Sequence, residues 1–316
     1  MSLRRAEDVN NDYDLILMAT KDSIYNVLEN YVFFNKFISP KRTIIIGPNS
    51  IRQIIEEDKN GYVFIDEDFV LDGLSYSSVY KTISQIDDTA INRSGWYLQQ
   101  FLKMAYAFLC KEEYYLVWDS DTIPLHEICM IDPKGKVYLD VKSEYNKPYF
   151  DTIENLGIGI SRFASFSFIS EHMLIEKRRM IEMIESIENN DIEKGTFWKI
   201  IIESIKPHQL KYSGFSEFET YGNYMYSFYR NDIAIRKWKS LRSASLFYKG
   251  IDEKMIEKLC KHFDAVSFEK NKHSDTPFLN PLTNITLLVI VYESSKETVK
   301  KMIRICSLFF NSCRRK

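Results

Sequence analysis

Cysteine is scarce in this chain and scattered. Cys110, Cys129, Cys260, Cys306 and Cys313 include no Cys-x-x-Cys pair, which argues against a zinc site or a disulfide framework. No nucleophilic-cysteine signature surrounds them. An excess of one charge is also missing. The 42 Lys+Arg against 44 Asp+Glu leave a formal net charge of −2, so no global field favours nucleic acid. Met1–Asn11 is charged and carries no apolar signal region. No uninterrupted apolar run approaches about 18 residues. Neither secretion nor a membrane span is expected, and the opening Met-Ser-Leu fits a cloning scar. GxxxxGK[ST] and GxGxxG are absent, so NTPase and dinucleotide readings lack their motifs.

What is present is an ordinary globular composition, 45% hydrophobic and 27% charged, with 20 Tyr and 21 Phe for a large core. The first half alternates apolar runs with helical spacing. Strands are expected at Leu15–Thr20, Arg42–Gly47, Tyr62–Asp66 and Tyr114–Trp118. Helices are expected at Lys21–Lys36, Ser50–Asp58 and Gly95–Cys110. Such alternation points to βαβ units and a mostly parallel sheet flanked by helices. Further on, Lys136–Val141 and Ser165–Ser170 read as strands. Glu171–Asn189, Trp198–Ile205 and Glu217–Tyr229 read as helices. Residues 12–280 form one expected domain. Ile285–Phe310 repeats the strand–turn–helix design of Tyr13–Phe34, so residues 281–316 read as an extension or the start of a truncated second domain.

The most informative stretch is Tyr114–His126, "YYLVWDSDTIPLH". A buried strand ends there on Asp119-Ser120-Asp121. In open α/β sheets, ligands bind outside the carboxyl ends of strands. If the backbone stays extended, residues i and i+2 point the same way, and Asp119 and Asp121 can share one Mn²⁺ or Mg²⁺ ion with substrate phosphates. The acidic run Asp66–Asp68 also follows a strand and reads as a surface turn. On the preceding helix, Trp96, Gln99 or Gln100, and Lys103 fall at helical spacing on roughly one face.

Trp-x-x-Gln-Gln-x-x-Lys (Trp96–Lys103), Trp-Asp-Ser-Asp-Thr (Trp118–Thr122) and "SEFETYGNY" (Ser216–Tyr224) together resemble the Asp-x-Asp glycosyltransferases of the GT-A fold. The resemblance is nearest to a bacterial group of uncharacterised glycosyltransferases and covers roughly Asp14 to Trp238. It implies a GT-A-like, Rossmann-like sheet with a helical C-terminal part. It also implies transfer of a sugar from a nucleotide-diphosphate sugar to a glycan or lipid-linked hydroxyl acceptor, as in surface polysaccharide or lipopolysaccharide synthesis. Carried over, Asp121 is the direct metal ligand and Asp119 touches ribose or a metal-bound water. Thr20, Lys21 and Asp22 hold base and ribose, and Gln100 and Lys103 face the donor beside Trp96.

Inverting transfer needs a carboxylate to take the acceptor's proton. Glu217 is preferred over Glu219, because Ser216 and Glu219 have the spacing of a capping box; if Glu217 takes no proton, retention is implied. GT-A enzymes often add a late His, which makes His273 a candidate third ligand against a solvent-exposed reading. His172 sits at an expected strand–helix junction. Arg236, Lys237, Lys239 and Arg242 around Trp238 suit either phosphate contact or a solvated face. The competing functions are a nucleotidyl- or phosphotransferase using the same Asp pair, and an inactive carbohydrate-binding protein. The expected place of work is the cytoplasm or the inner face of its membrane. The apolar face and basic residues of the C-terminal helix offer peripheral contact there, or simply pack on a core. The oligomeric state is not readable.

Overall fold

The structure, a computed structural model, describes residues 12–160, 165–191, 195–242, 244, 251 and 253–268. His273, the Ile285–Phe310 repeat and the whole 281–316 extension lie outside the described residues.

In chain order the first half holds β1 (Tyr13–Met18), α1 (Ile24–Phe37), β2 (Arg42–Gly47), α2 (Arg52–Glu57), β3 (Val63–Asp66), α3 (Tyr76–Ile86), α4 (Ser94–Ala105) and β4 (Tyr114–Trp118). Then come β5 (Thr122–Pro124), β6 (Val137–Val141), α5 (Lys147–Asn155), β7 (His172–Glu176), α6 (Lys177–Asn190), α7 (Phe197–Ser204), α8 (Pro207–Leu210) and α9 (Glu217–Phe228). β8 (Ile233–Lys237), β9 (Ser240–Leu241), α10 (Glu253–Leu259) and β10 (Ala265–Ser267) follow.

The main sheet has the order β3-β2-β1-β4-β7. Its first four strands are parallel, and β7 closes the edge antiparallel to β4. Every residue of β1 is buried, as expected for a strand covered on both faces. The expected α/β class and mostly parallel sheet are therefore what the chain forms. Two small sheets complete it, β5-β10-β9 and β6-β8. No helix of the described residues is long and apolar enough to cross a membrane.

Two expected elements differ. Ser165–Ser170 forms no regular strand among its described residues, making only a single bridge from Ser167 to Lys142. Alternating Ser and Phe imitates a strand, but the Ser167 hydroxyl is turned to Glu219 at 2.5 Å. The helix expected from Glu171 begins at Lys177, because His172–Glu176 pairs along β4. Met173, placed on the helix by its spacing, is a strand residue; pairing with β4 overrides the local pattern.

Candidate active site

The four parallel strands end on the same side of the sheet. β1 has β2 on one flank and β4 on the other, so the strand order reverses between β1 and β4. Such a reversal opens a crevice beyond the carboxyl ends of the strands. The register sets Leu17 beside Trp118. The loop Thr20–Asp22 and the loop Asp119–Asp121 thus leave the sheet as neighbours.

Thr20, Lys21 and Asp22 are exposed. The loop is closed by the Thr20 N–H donating to Ser23 Oγ at 2.9 Å and the Ile24 N–H donating to the Thr20 carbonyl at 3.0 Å. Gly47, at the end of β2, lets the adjacent loop come close. A Cβ there would stand 2.3 Å from the Ala19 carbonyl oxygen.

The Asp119 loop corrects the geometry expected of it. The chain does not stay extended but turns, with the Thr122 N–H donating to the Asp119 carbonyl at 3.0 Å. Trp118 Nε1 donates to the Thr122 carbonyl at 2.7 Å, across the same turn. Its outer side is pinned by the Phe268 N–H on the Asp121 carbonyl at 2.8 Å, and by Thr122 Oγ1 against Ser267 Oγ at 2.6 Å. Alternation along a strand is therefore not what relates Asp119 to Asp121. Both are half-buried just beyond the carboxyl end of β4.

Lys103 connects this loop to α9. Its Nζ donates to Asp119 Oδ1 and to Glu217 Oε1, each at 2.9 Å, and lies 4.7 Å from the centre of the Phe218 ring. Burial alone would lower the ammonium's pKa; Asp119 and Glu217 together outweigh it and hold it above the ordinary lysine range. One turn earlier, Gln100 Oε1 accepts from the Glu217 N–H at 3.3 Å. The buried Gln100 Nε2 has no hydrogen-bond partner among the described residues. The i, i+3 spacing of Gln100 and Lys103 thus aims both at the start of α9. Trp96 lies two turns before Lys103, half-buried, with the Arg93 guanidinium 4.2 Å from its ring centre.

Glu217 and Glu219 part company. Ser216 caps α9, accepting from the Glu219 N–H at 3.2 Å. The Glu219 side chain instead accepts from Ser167 and, at 3.0 Å, from Asn223. Glu219 is thus engaged in the core, while Glu217 is joined through Lys103 to Asp119.

Behind the Asp119 turn stands a polar network that the sequence reading did not identify. The Asp119 N–H donates to the Glu171 carbonyl at 2.8 Å. Glu171 accepts from Lys142, from Ser240 Oγ at 2.8 Å and from Trp238 Nε1 at 2.9 Å. Next to it His172, 2% exposed, meets Asp140 through Nε2 at 2.8 Å and stacks on Trp118. Arg236 grips Asp140 at 2.6 and 2.7 Å. Burial would raise the pKa values of Asp140 and Glu171, but their cationic partners hold both below the usual carboxylate range. His172 is therefore an interior strand residue rather than a junction residue. Arg236 is spent on Asp140, and Arg242 pairs with Glu144 at 2.7 Å; Lys237 and Lys239 are exposed. The signal was a lone Asp inside the apolar run Val137–Val141, a position that demands a buried cationic partner.

A family model described as "Family of unknown function (DUF6492)" matches residues 30–245. No curated protein matches the sequence. Among solved structures the chain is similar to one described as the galactosyltransferase LgtC in complex with donor and acceptor sugar analogs. That likeness has 10% identity and a TM-score of 0.41, covering 83% of this chain and 90% of that one. The family match takes in Gln100, Lys103, Asp119, Asp121 and Glu217, every residue of the cluster joining α4, the β4 turn and α9, and spans more than half of the sequence: the chain belongs to DUF6492, a family of unknown function.

Proposed function

We propose that the protein is a divalent-metal-dependent glycosyltransferase. It moves a sugar from a nucleotide-diphosphate sugar to a hydroxyl of a glycan or lipid-linked acceptor, in the building of a bacterial surface polysaccharide. The observation that carries the reading is the linkage Asp119–Lys103–Glu217 at the β1–β4 switch point. It joins a carboxylate loop suited to a metal diphosphate with a second carboxylate suited to an acceptor.

The donor set fits a hard cation in one specific way. Among the described residues, no three His, Cys, Asp or Glu side chains gather to hold an ion. Asp119 and Asp121 supply two carboxylates, so the remaining ligands come from donor phosphates and water, the usual manner for Mg²⁺ and Mn²⁺. Asp121 is the main ligand in this reading, because Asp119 already carries the Lys103 ammonium; His273 is the proposed addition from beyond the described residues. The bound ion supplies charge neutralisation for the departing nucleoside diphosphate.

Thr20, Lys21 and Asp22 receive base and ribose, and Gln100 turns its unsatisfied amide nitrogen toward the donor, with Trp96 beside it. Glu217 accepts the proton of the acceptor hydroxyl as that oxygen bonds to the anomeric carbon. The bond from that carbon to the diphosphate oxygen breaks, and the electron pair leaves with the nucleoside diphosphate. Lys103 holds Glu217 through Oε1, which reserves Oε2 for the hydroxyl.

Thermal unfolding of the full chain with a panel of nucleotide-diphosphate sugars, with and without Mn²⁺, tests the reading. Stabilisation by a nucleotide sugar that requires Mn²⁺ is expected. Stabilisation by nucleoside triphosphates alone would replace the reading with nucleotidyl or phosphoryl transfer.

A further inference from the structure

The bonds of Lys103 bear on how the site takes its metal. Its side chain is 10% exposed, between an Asp119 side chain that is 39% exposed and a Glu217 side chain that is 5% exposed. A cation is therefore already built into the carboxylate cluster, on the side away from solvent.

We infer that Lys103 is a positioning residue that competes with the divalent cation for Asp119, so that the site takes metal firmly only together with a diphosphate. The inference rests on the proposed placement of an ion at Asp119 and Asp121. A dication approaching Asp119 meets a fixed positive charge on Oδ1, and the repulsion is strong because the ammonium is shielded from water. Lys103 bonds both Asp119 and Glu217, so the trio's single net negative charge is divided between two carboxylates instead of resting wholly on Asp119, where a metal would meet it. Asp121 alone is a weak anchor for an ion that keeps most of its water. The diphosphate brings the missing negative charge and oxygen ligands. Metal and donor then bind as a unit, and metal without donor binds poorly. The arrangement also keeps the acceptor carboxylate fixed at every stage, since Lys103 never has to leave Glu217.

The experiment measures Mn²⁺ binding to the full chain without nucleotide, by the loss of the free-ion electron paramagnetic resonance signal. Lys103→Met paired with Glu217→Gln removes the ammonium without stranding a buried carboxylate, leaving Asp119 unopposed. Its Mn²⁺ affinity is expected to rise at least tenfold over wild type, and Asp119→Asn added to the same background is expected to abolish that gain. Lys103→Arg, which keeps the charge, is expected to bind as wild type does. Damage to the fold does not tighten a metal site, so a gain separates competition from a merely structural role. Equal or weaker Mn²⁺ binding by the folded double variant, or a gain that survives Asp119→Asn, overturns the inference. If the double variant does not fold, Lys103→Gln alone is measured under the same two criteria. The glycosyltransferase reading fails separately, through absent nucleotide-sugar binding in the wild type, and the Mn²⁺ comparison stands without it.

Discussion

Asp121 and Glu217 are expected to fail in different ways. Asp121→Ala removes the proposed main ligand. Calorimetry with a nucleoside diphosphate and Mn²⁺ should show affinity falling more than about tenfold, or 1.4 kcal/mol, and Asp119→Ala should fall less. Unchanged affinity in Asp121→Ala would remove the metal assignment. Glu217→Gln keeps the shape and a hydrogen-bond acceptor for Lys103 but cannot take a proton. Donor binding should persist while turnover drops by roughly 10²–10⁴-fold, the usual worth of general acid–base catalysis. Full turnover in Glu217→Gln together with loss in Glu219→Gln would transfer the role to Glu219, against the bonds that tie Glu219 to Ser167 and Asn223.

At the scale of elements, the parallel half of the fold was legible because each strand there is a short apolar run with a helix-spaced segment behind it. Arg42–Gly47 and Tyr114–Trp118 were bounded to the residue. His172–Glu176 was not, since an antiparallel edge strand running directly into a helix leaves no turn residue to mark the change. α3, α5 and β8 were missed as well; β8 was hidden in a stretch read only for its charge. The neighbours of Lys103 could not be ordered from sequence, because only packing brings α4, the β4 turn and α9 together. Gly47 shows how one element limits another. Gly47→Ala would push its Cβ into the Ala19 carbonyl. The expected cost is about 1–3 kcal/mol of stability, as for an overpacked core site, with weaker nucleotide binding as Thr20 is displaced. A chemical-denaturation series beside a nucleotide titration checks both; native values in the two would mean the contact relaxes without consequence.

For the molecule as a whole, two buried carboxylates set the acid limit. Asp140 and Glu171 have folded pKa values lowered by Arg236, His172, Lys142 and Arg242 against the effect of burial. A lowered carboxylate contributes stability that is present above its unfolded value of about 4 and is lost as pH falls through the folded value. Glu67, which burial and then the neighbouring Asp68 and Asp66 push up to about 7, adds stability as it takes its proton between pH 7 and 5. Urea unfolding should therefore give a stability that does not fall from pH 7 to about 5 and declines below about 4. The decline should be shallower in Asp140→Asn, which is itself less stable because it leaves Arg236 short of its partner. A wild type equally stable at pH 3 and pH 7 would contradict this origin of acid sensitivity.

The clamp on the Asp119–Asp121 turn has a consequence for the order in which the protein is made. Thr122 and Ser267, whose hydroxyls meet across the turn, are separated by 145 positions in the chain. A polypeptide emerging from the ribosome at about 5–20 residues per second displays β1, β4 and both aspartates for several seconds before Ser267 exists. During that interval the strand ends can already pair, but the outer wall of the turn is missing. The Asp119–Asp121 turn is thus the last part of the candidate site to acquire its shape, and synthesis itself delays the moment at which that turn is walled in.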